Sequence, residues 1–290
     1  DYEGSDYQER FWGQGRRAYE DRCEAIALEH LLPPGGGKRM LELGAGAGRN
    51  TPRYQNFEQI VLVDYSTTQL KQAAQKLGGG NKYRYVAADI YHLPFAPASF
   101  DAATMIRTLH HMVDAPLALQ ETARVLNGQA TLILEYANKQ NLKAILRYLN
   151  KRQTWSPFTL EPVEFAELNF DFHPKAIRNW LEQLHLNIES QRSVSHFRLE
   201  ILKKILPLKL LVGLDSLLQP TGGLFQLTPS VFLRARKEQR ASLIPEKLVL
   251  SCPACGHTPL EDTPPLLTCR KCGCRYQVQD GIYDLRPPAA

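Results

Sequence analysis

The chain has 290 residues, a net charge of +5 and a pI near 8.8. A hydrophobic fraction of 43% beside 22% charged residues is ordinary for a water-soluble globular protein, and the length suits one large domain or a domain plus a small module. The mild basic excess permits an acidic partner without demanding one, and the longest apolar region, residues 199–218, carries Lys203, Lys204, Lys209 and Asp215, which excludes a membrane span.

Residues 1–20 are rich in aromatics and charge, with Tyr2, Tyr7, Phe11, Trp12 and Tyr19. No stretch reads as a signal peptide, so a cytoplasmic location is expected. Ile26, Leu28, Leu31 and Leu32 fall at helical spacing and predict a helix over 21–32, stopped by Pro33-Pro34-Gly35-Gly36-Gly37. Residues 39–43 form a short strand running into glycines. Residues 59–64, with Ile60-Val61-Leu62-Val63, form a buried strand, and 67–77 a helix ended by Gly78-Gly79-Gly80. Strands follow over 83–88 and 100–106, then a helix over 115–126 closed by Asn127-Gly128, then a strand over 130–135. Strands alternating with helices imply parallel pairing through right-handed crossovers.

After Tyr136 the rhythm breaks. Residues 138–172 read as an insertion, 174–184 as a helix, 187–194 as a strand, 197–219 as a second, apolar helical insertion and 230–236 as a last strand. The expected fold is α/β: a doubly wound, mostly parallel seven-stranded sheet with helical insertions over residues 1–238. A linker over 238–247 leads to a small cysteine-bearing module over 248–288.

Gly44-x-Gly46-x-Gly48 lies between the first strand and a presumed helix. Glycine lets a backbone turn tightly and approach a ligand without Cβ clashes, and a helix start offers free N–H groups. A dinucleotide fingerprint would be G-x-G-x-x-G/A. Here its third position is Arg49, and the extra glycine arrives one residue early at Gly48, which counts against NAD.

Leu41-Glu42-Leu43-Gly44-Ala45-Gly46-Ala47-Gly48 resembles the E/D-x-G-x-G-x-G motif of the class I, Rossmann-like S-adenosylmethionine-dependent methyltransferases. The resemblance covers residues 36–136 strongly and 1–237 loosely. It implies S-adenosylmethionine as cofactor, with Glu42 positioning the methionine amino group and Gly44, Ala45, Gly46 and Gly48 passing close to the methionyl and sugar portions. Asp64, twenty residues past Gly44, is expected to accept hydrogen bonds from the ribose hydroxyls, and Tyr65 to stack on adenine. Asp89 is expected to take the adenine amino proton while the Ile90 N–H reaches the ring. Phe100-Asp101 resembles the family's "FD" position. Residues 124–129 resemble its "RVLKPGG" turn, with Asn127 and Gln129 in place of the proline and second glycine.

Methyl transfer is an in-line displacement at an activated sulfonium, so the protein chiefly aligns the nucleophile and excludes water. A base is needed only when the nucleophile must lose a proton. Arg107 to His111 follows the fourth strand, beside the methyl group, and makes His111, then His110, the candidate catalytic residues, with Glu135 nearby. Arg107 joins the expected cofactor set. The N/D-P-P-Y/F signature of exocyclic-amine methylation is replaced by Met105-Ile106-Arg107-Thr108, and only Cys23 lies in the catalytic domain, which discounts cytosine C5 chemistry. Tyr7, Phe11 and Trp12 are candidates to cover the sulfonium or adenine.

Lys139, Lys143, Arg147 and Lys151 recur every four residues and predict a basic helical stripe, with Leu142, Ile145, Leu146 and Leu149 on the apolar side. The second insertion is leucine-rich and suits a lid, a dimer contact or plain core.

Five of the six cysteines crowd into residues 252–274. Cys252-Pro-Ala-Cys255 and Cys269-Arg-Lys-Cys272 make C-x2-C-x13-C-x2-C, a spacing that sets four thiolates around one tetrahedral zinc in a closed, structural site. Cys274 and His257 are left over. The tail from Tyr276 to Leu285 resembles a small zinc-ribbon family that includes methyltransferase activators. The leading expectation is methyl transfer to a small molecule. RNA or protein methylation is the second, and a catalytically idle cofactor-binding protein the third.

Overall fold

The computed structural model describes residues 17–287, and the candidates Tyr7, Phe11 and Trp12 lie outside them. Strand β1 (Gly37–Leu43) is central, flanked in parallel by β2 (Phe57–Asp64) and β4 (Phe100–Met105). β3 (Tyr83–Ala87) adds outside β2 and β5 (Leu126–Ala137) outside β4, again in parallel. β9 (Ser230–Lys237) then runs antiparallel on β5, and β8 (Leu186–Val194) antiparallel on β9. The order β3-β2-β1-β4-β5-β9-β8 is the seven-stranded, mostly parallel sheet the sequence predicts. Strand order reverses between β1 and β4, where a doubly wound sheet opens its ligand crevice at the carboxyl ends.

Alternate side chains of the central strands leave for opposite faces, and both faces are covered. Ile60 and Leu62 join Leu70 and Ala73 of helix α2 (Thr67–Leu77). Val61 and Val63 join Ala118 and Leu119 of α3 (Ala115–Val125) and Ile177 and Leu181 of α5 (Pro174–Gln183). On the α2 side, toward β5 and β9, α1 (Ala18–Leu31) packs Leu28 and Leu31 with Ile133 and Phe232. Caps mark where helices begin: Ser66 accepts from the Gln69 N–H, and Asp114 from the Leu117 N–H.

Three further strands come from the cysteine segment: β10 (Leu266–Thr268), β11 (Arg275–Gln279) and β12 (Ile282–Asp284). They extend the sheet to ten strands, because β12 pairs in parallel with β3, Ile282 opposite Tyr85 and Asp284 opposite Ala87. An uncovered β3 would present a row of unpaired backbone groups, and β12 satisfies them. Residues 238–247 return under the amino ends of the strands. Arg39, buried on β1, donates to the Pro245 and Glu246 carbonyls, and Asn127 exchanges hydrogen bonds with Ser242.

The first insertion departs from the expected basic stripe. Helix α4 (Leu142–Leu149) starts only after Asn141, which caps the Ala144 N–H, so Lys139 precedes it. Lys139 is buried, with Nζ held by the Thr159 and Glu161 carbonyls at 3.0 and 2.6 Å. Lys151 follows the helix at φ +54°, leaving Lys143 and Arg147 as the basic residues of α4. A hairpin, β6 (Val163–Ala166) and β7 (Asn169–Asp171), completes this insertion, and α6 (Glu200–Ile205) and α7 (Leu208–Leu218) form the second.

Candidate active site

A cavity of about 470 Å³ opens at the carboxyl ends of β1, β2, β3 and β4. Glu42, Gly44, Ala45, Gly46, Asp64, Tyr65, Asp89, Ile90, Arg107 and His111 all line it; Gly48 and His110 are not among its lining residues.

The loop after β1 is built on left-handed glycines, Gly44 at φ +65° and Gly48 at +70°. A Cβ on Gly44 would lie 2.1 Å from Thr108 Oγ1, whose hydroxyl donates to the Leu43 and Ile106 carbonyls. Gly44 therefore lets the end of β1 close against the turn after β4. A Cβ on Gly48 would lie 2.8 Å from Leu77 Cδ1, so that glycine serves packing against α2. The presumed helix after the loop is a 3₁₀ turn, Thr51–Tyr54, because only eight residues separate Gly48 from Phe57 at the start of β2.

Three carboxylates face the cavity. Asp64 accepts from the Gly46 N–H at 2.8 Å through Oδ2 and from the Ser66 N–H at 2.9 Å through Oδ1. It thus ties the glycine loop to the end of β2. Asp89 accepts from the Tyr91 N–H at 2.9 Å and lies 3.2 Å from His92 Nδ1. Glu42 is buried and accepts from the Thr51 hydroxyl at 2.6 Å. Burial pushes its carboxyl up to about 7, against the Thr51 hydrogen bond and the pull of Arg49 and Arg53. A cation brought into the cavity would favour its ionised form.

The nearby guanidinium groups are held by α1. Glu24, fully buried, accepts from Arg107 Nε at 2.7 Å and Nη2, and from Arg49 Nη2 at 2.8 Å. Burial alone would raise the Glu24 carboxyl, but Arg107 and Arg49 hold it down at about 2. Burial likewise works against the Arg107 charge, and Glu24 followed by Glu135 more than offsets it, so its pKa is raised. Arg107 itself sits at φ +55°, its N–H donating to Glu135 Oε2 at 2.9 Å. Glu135 also accepts from the Ser230 hydroxyl and is not among the cavity's lining residues, so it braces the turn after β4.

His111 Nδ1 lies 3.1 Å from the Leu168 carbonyl, and Leu168, on the β6–β7 turn, also lines the cavity. The His110 and His111 rings are 4.0 Å apart. Burial, then the neighbouring charges of His111 and Arg107, push the His110 imidazole down to about 3. A group of such low basicity is a poor proton acceptor near neutral pH.

The contacts of Glu24, Arg49 and Thr108 join segments far apart in the chain and have no local signature. Glu20, Asp21 and Glu24, at helical spacing, were the available sign of an acidic face on α1.

The four expected cysteines converge. The Sγ atoms of Cys252, Cys255, Cys269 and Cys272 all lie within 4.8 Å of one another, with Cys252–Cys272 and Cys255–Cys269 each at 3.7 Å. Tetrahedral thiolates about 2.3 Å from a zinc ion stand about 3.8 Å apart, so the set fits that metal. Each knuckle closes through a glycine: Gly256 N–H donates to Cys252 O, and Gly273 N–H to Cys269 O. Cys274 and His257 are not in the cluster.

A family model described as a methyltransferase domain matches residues 41–134. The chain is similar to a demethylmenaquinone methyltransferase of Clavibacter sepedonicus, 31% identical over 57% of this chain and 59% of that protein. It is also similar to the 27-O-demethylrifamycin SV methyltransferase of Amycolatopsis mediterranei, 27% identical over 45% of this chain and 51% of that protein. The chain therefore spans little more than half the length of these relatives. Among solved structures, an S-adenosylmethionine-dependent methyltransferase from Mesorhizobium loti superposes with a TM-score of 0.55 at 18% identity, covering 74% of this chain and 98% of that one. The magnesium protoporphyrin IX methyltransferase of Synechocystis gives a TM-score of 0.51 at 16% identity, over 78% and 87% of the two chains. The fold is the Rossmann-like methyltransferase fold.

Proposed function

We propose that the chain transfers the methyl group of S-adenosylmethionine to a small-molecule acceptor. The observation that carries this reading is the cavity itself: Glu42, Asp64 and Asp89 surround it, while Arg49 and Arg107 are engaged by Glu24. A sulfonium ligand with an ammonium group suits such a wall better than a pyrophosphate does.

Glu42 would hold the methionine ammonium, and Asp64 the ribose hydroxyls. Asp89 and the Ile90 N–H would take the adenine edge, with Tyr65 against its face. His111 lines the cavity beside Leu168 and would accept a proton if the acceptor loses one. His110 packs on His111. The relatives are named for small acceptors, a demethylmenaquinone and a demethylrifamycin. A basic stripe would support an RNA acceptor, and with Lys139 buried under its insertion that stripe loses a member.

The cysteine cluster would hold a structural zinc ion. All four thiolates would be used in binding, leaving the metal no open position for chemistry.

The test is incubation of the protein and methyl-labelled cofactor with separate small-molecule, RNA and protein fractions. Label in the small-molecule fraction is expected. Label in RNA or protein would overturn the acceptor class, and tight cofactor binding with no labelled fraction would mark an idle binding protein.

A further inference from the structure

The large apolar side chains exposed on this protein are not scattered. Of those among the described residues, eighteen lie between Leu142 and Leu227, within the two insertions and the segments around them, and five elsewhere. Helix α7 shows why this is unusual. Its one acid, Asp215, is wholly buried, where the Tyr19 hydroxyl, the Ser195 N–H and His196 Nδ1 hold it. Its leucines Leu210, Leu214 and Leu217, at i, i+4 and i+7, face outward. Leu211 is buried like Asp215, so α7 already has a core contact, and a second row of three leucines left outward on the same helix is not built to face water.

The same spacing recurs nearby. On α4, Leu142, Leu146 and Leu149 are exposed, and on α6, Ile201 and Ile205. The elements adjoin. Helix α7 runs into the turn Gln219–Gly223, and the Leu142 N–H at the start of α4 donates to the Leu227 carbonyl at 2.9 Å. Leu224, Phe225 and Leu227 fill the interval and are themselves exposed.

Charge decides what fits this face. Residues 142–152 contain Lys143, Arg147, Lys151 and Arg152, all exposed, and no acid. Lys204 and Lys209 stand exposed beside the α6 and α7 rows, where the one exposed acid is Glu200. Apolar rows bordered by lysine and arginine match a bilayer surface with anionic headgroups, the apolar side chains entering the acyl boundary and the cations meeting phosphate. No helix among the described residues is long and apolar enough to cross a membrane, so the contact is in the plane of the surface. We infer that α4, α6, α7 and the 224–227 segment form one docking face by which this protein lies on an anionic lipid membrane. The face is separate from the cofactor cavity and does not rest on methyl transfer.

The test is flotation of the full chain with vesicles of neutral phospholipid containing about one quarter anionic phospholipid, and with neutral vesicles. Co-flotation with the anionic vesicles is expected, weaker on neutral ones. The pairs Leu146→Glu with Leu149→Glu, and Leu214→Glu with Leu217→Glu, should each weaken partitioning at least about 10-fold. The pair Lys143→Glu with Arg147→Glu should weaken it comparably, on anionic vesicles only. All three pairs are exposed and should retain the parent's melting temperature and circular dichroism, which reports that they fold. No flotation of the parent chain, or flotation untouched by the leucine pairs, overturns the inference. So does a dimer in sedimentation velocity that the leucine pairs dissociate while vesicle binding stays absent, since the face would then join two copies.

Discussion

Glu24 on α1 and Arg107 after β4 form a buried ion pair, 2.7 Å from Nε to Oε1, that fastens the first helix to the rim of the cavity. Arg49, at the end of the glycine loop, shares the same carboxylate. One side chain thus joins both loops, and removing it would deprive Arg107 and Arg49 of their shared buried carboxylate, with Asp21 still paired to Arg49.

Glu24→Gln should therefore cost on the order of 3–5 kcal/mol of folding stability, read as a lower melting temperature near neutral pH. The pH dependence follows from the sign of the shift. The carboxyl is lowered from 4.5 to about 2, so its contribution is full above about 4.5 and is lost as pH falls through about 2. Acid unfolding of the parent chain between those limits should be steeper than that of the variant. Parallel acid limbs would show that the pair does not hold the fold.

Glu42 has the opposite shift, from 4.5 up to about 7. Folding stability from this group is full below about 4.5 and lost as pH rises through about 7, so Glu42→Gln should stabilise the ligand-free protein at pH 8. Cofactor affinity should instead rise from pH 6 to pH 7, as the carboxylate forms, and fall once the cofactor's α-amine deprotonates near pH 8. Calorimetric titration of Glu42→Gln should give weaker binding without the rising limb.

With zinc at the cysteine cluster as proposed, chelation, or Cys269→Ser, should release β10 to β12 and expose the edge of β3. Hydrogen exchange should then quicken in residues 83–87 and 282–285, and the melting temperature should fall. Arg286 ties this segment to the cavity wall, donating to the Tyr65 carbonyl and lying over its ring. Weaker cofactor binding is the accompanying result, and unchanged exchange in 83–87 would mean that β12 holds its place without metal.

His111→Ala should leave cofactor affinity within about twofold and lower turnover by roughly 100-fold if the acceptor must lose a proton. Unchanged turnover would remove His111 from the chemistry.

Much of the scaffold was legible because its signals are local. The Ile60-Val61-Leu62-Val63 run, the Ser66 and Gly78 ends of α2 and the glycine loop each announce themselves over a few residues. Asp64 and Asp89 stand at or just past the ends of β2 and β3, which the apolar runs before them mark in the sequence. Partnering between distant segments was not legible. Nothing in the composition of β12 says that its neighbour is β3, and Glu24 reads as one more acid on a helix until Arg107 folds against it. The lysine spacing misled because Asn141, a residue that starts helices, lies between Lys139 and the rest. Gly48 matched the expected pattern for a reason of packing against Leu77.

The most direct test of the account is equilibrium binding of S-adenosylmethionine and of NAD to the parent chain and to Asp64→Ala. Saturable S-adenosylmethionine binding, weakened about 100-fold or more by the substitution, with no NAD binding, is the predicted result. Binding of NAD in place of S-adenosylmethionine, or S-adenosylmethionine binding indifferent to Asp64, would contradict it.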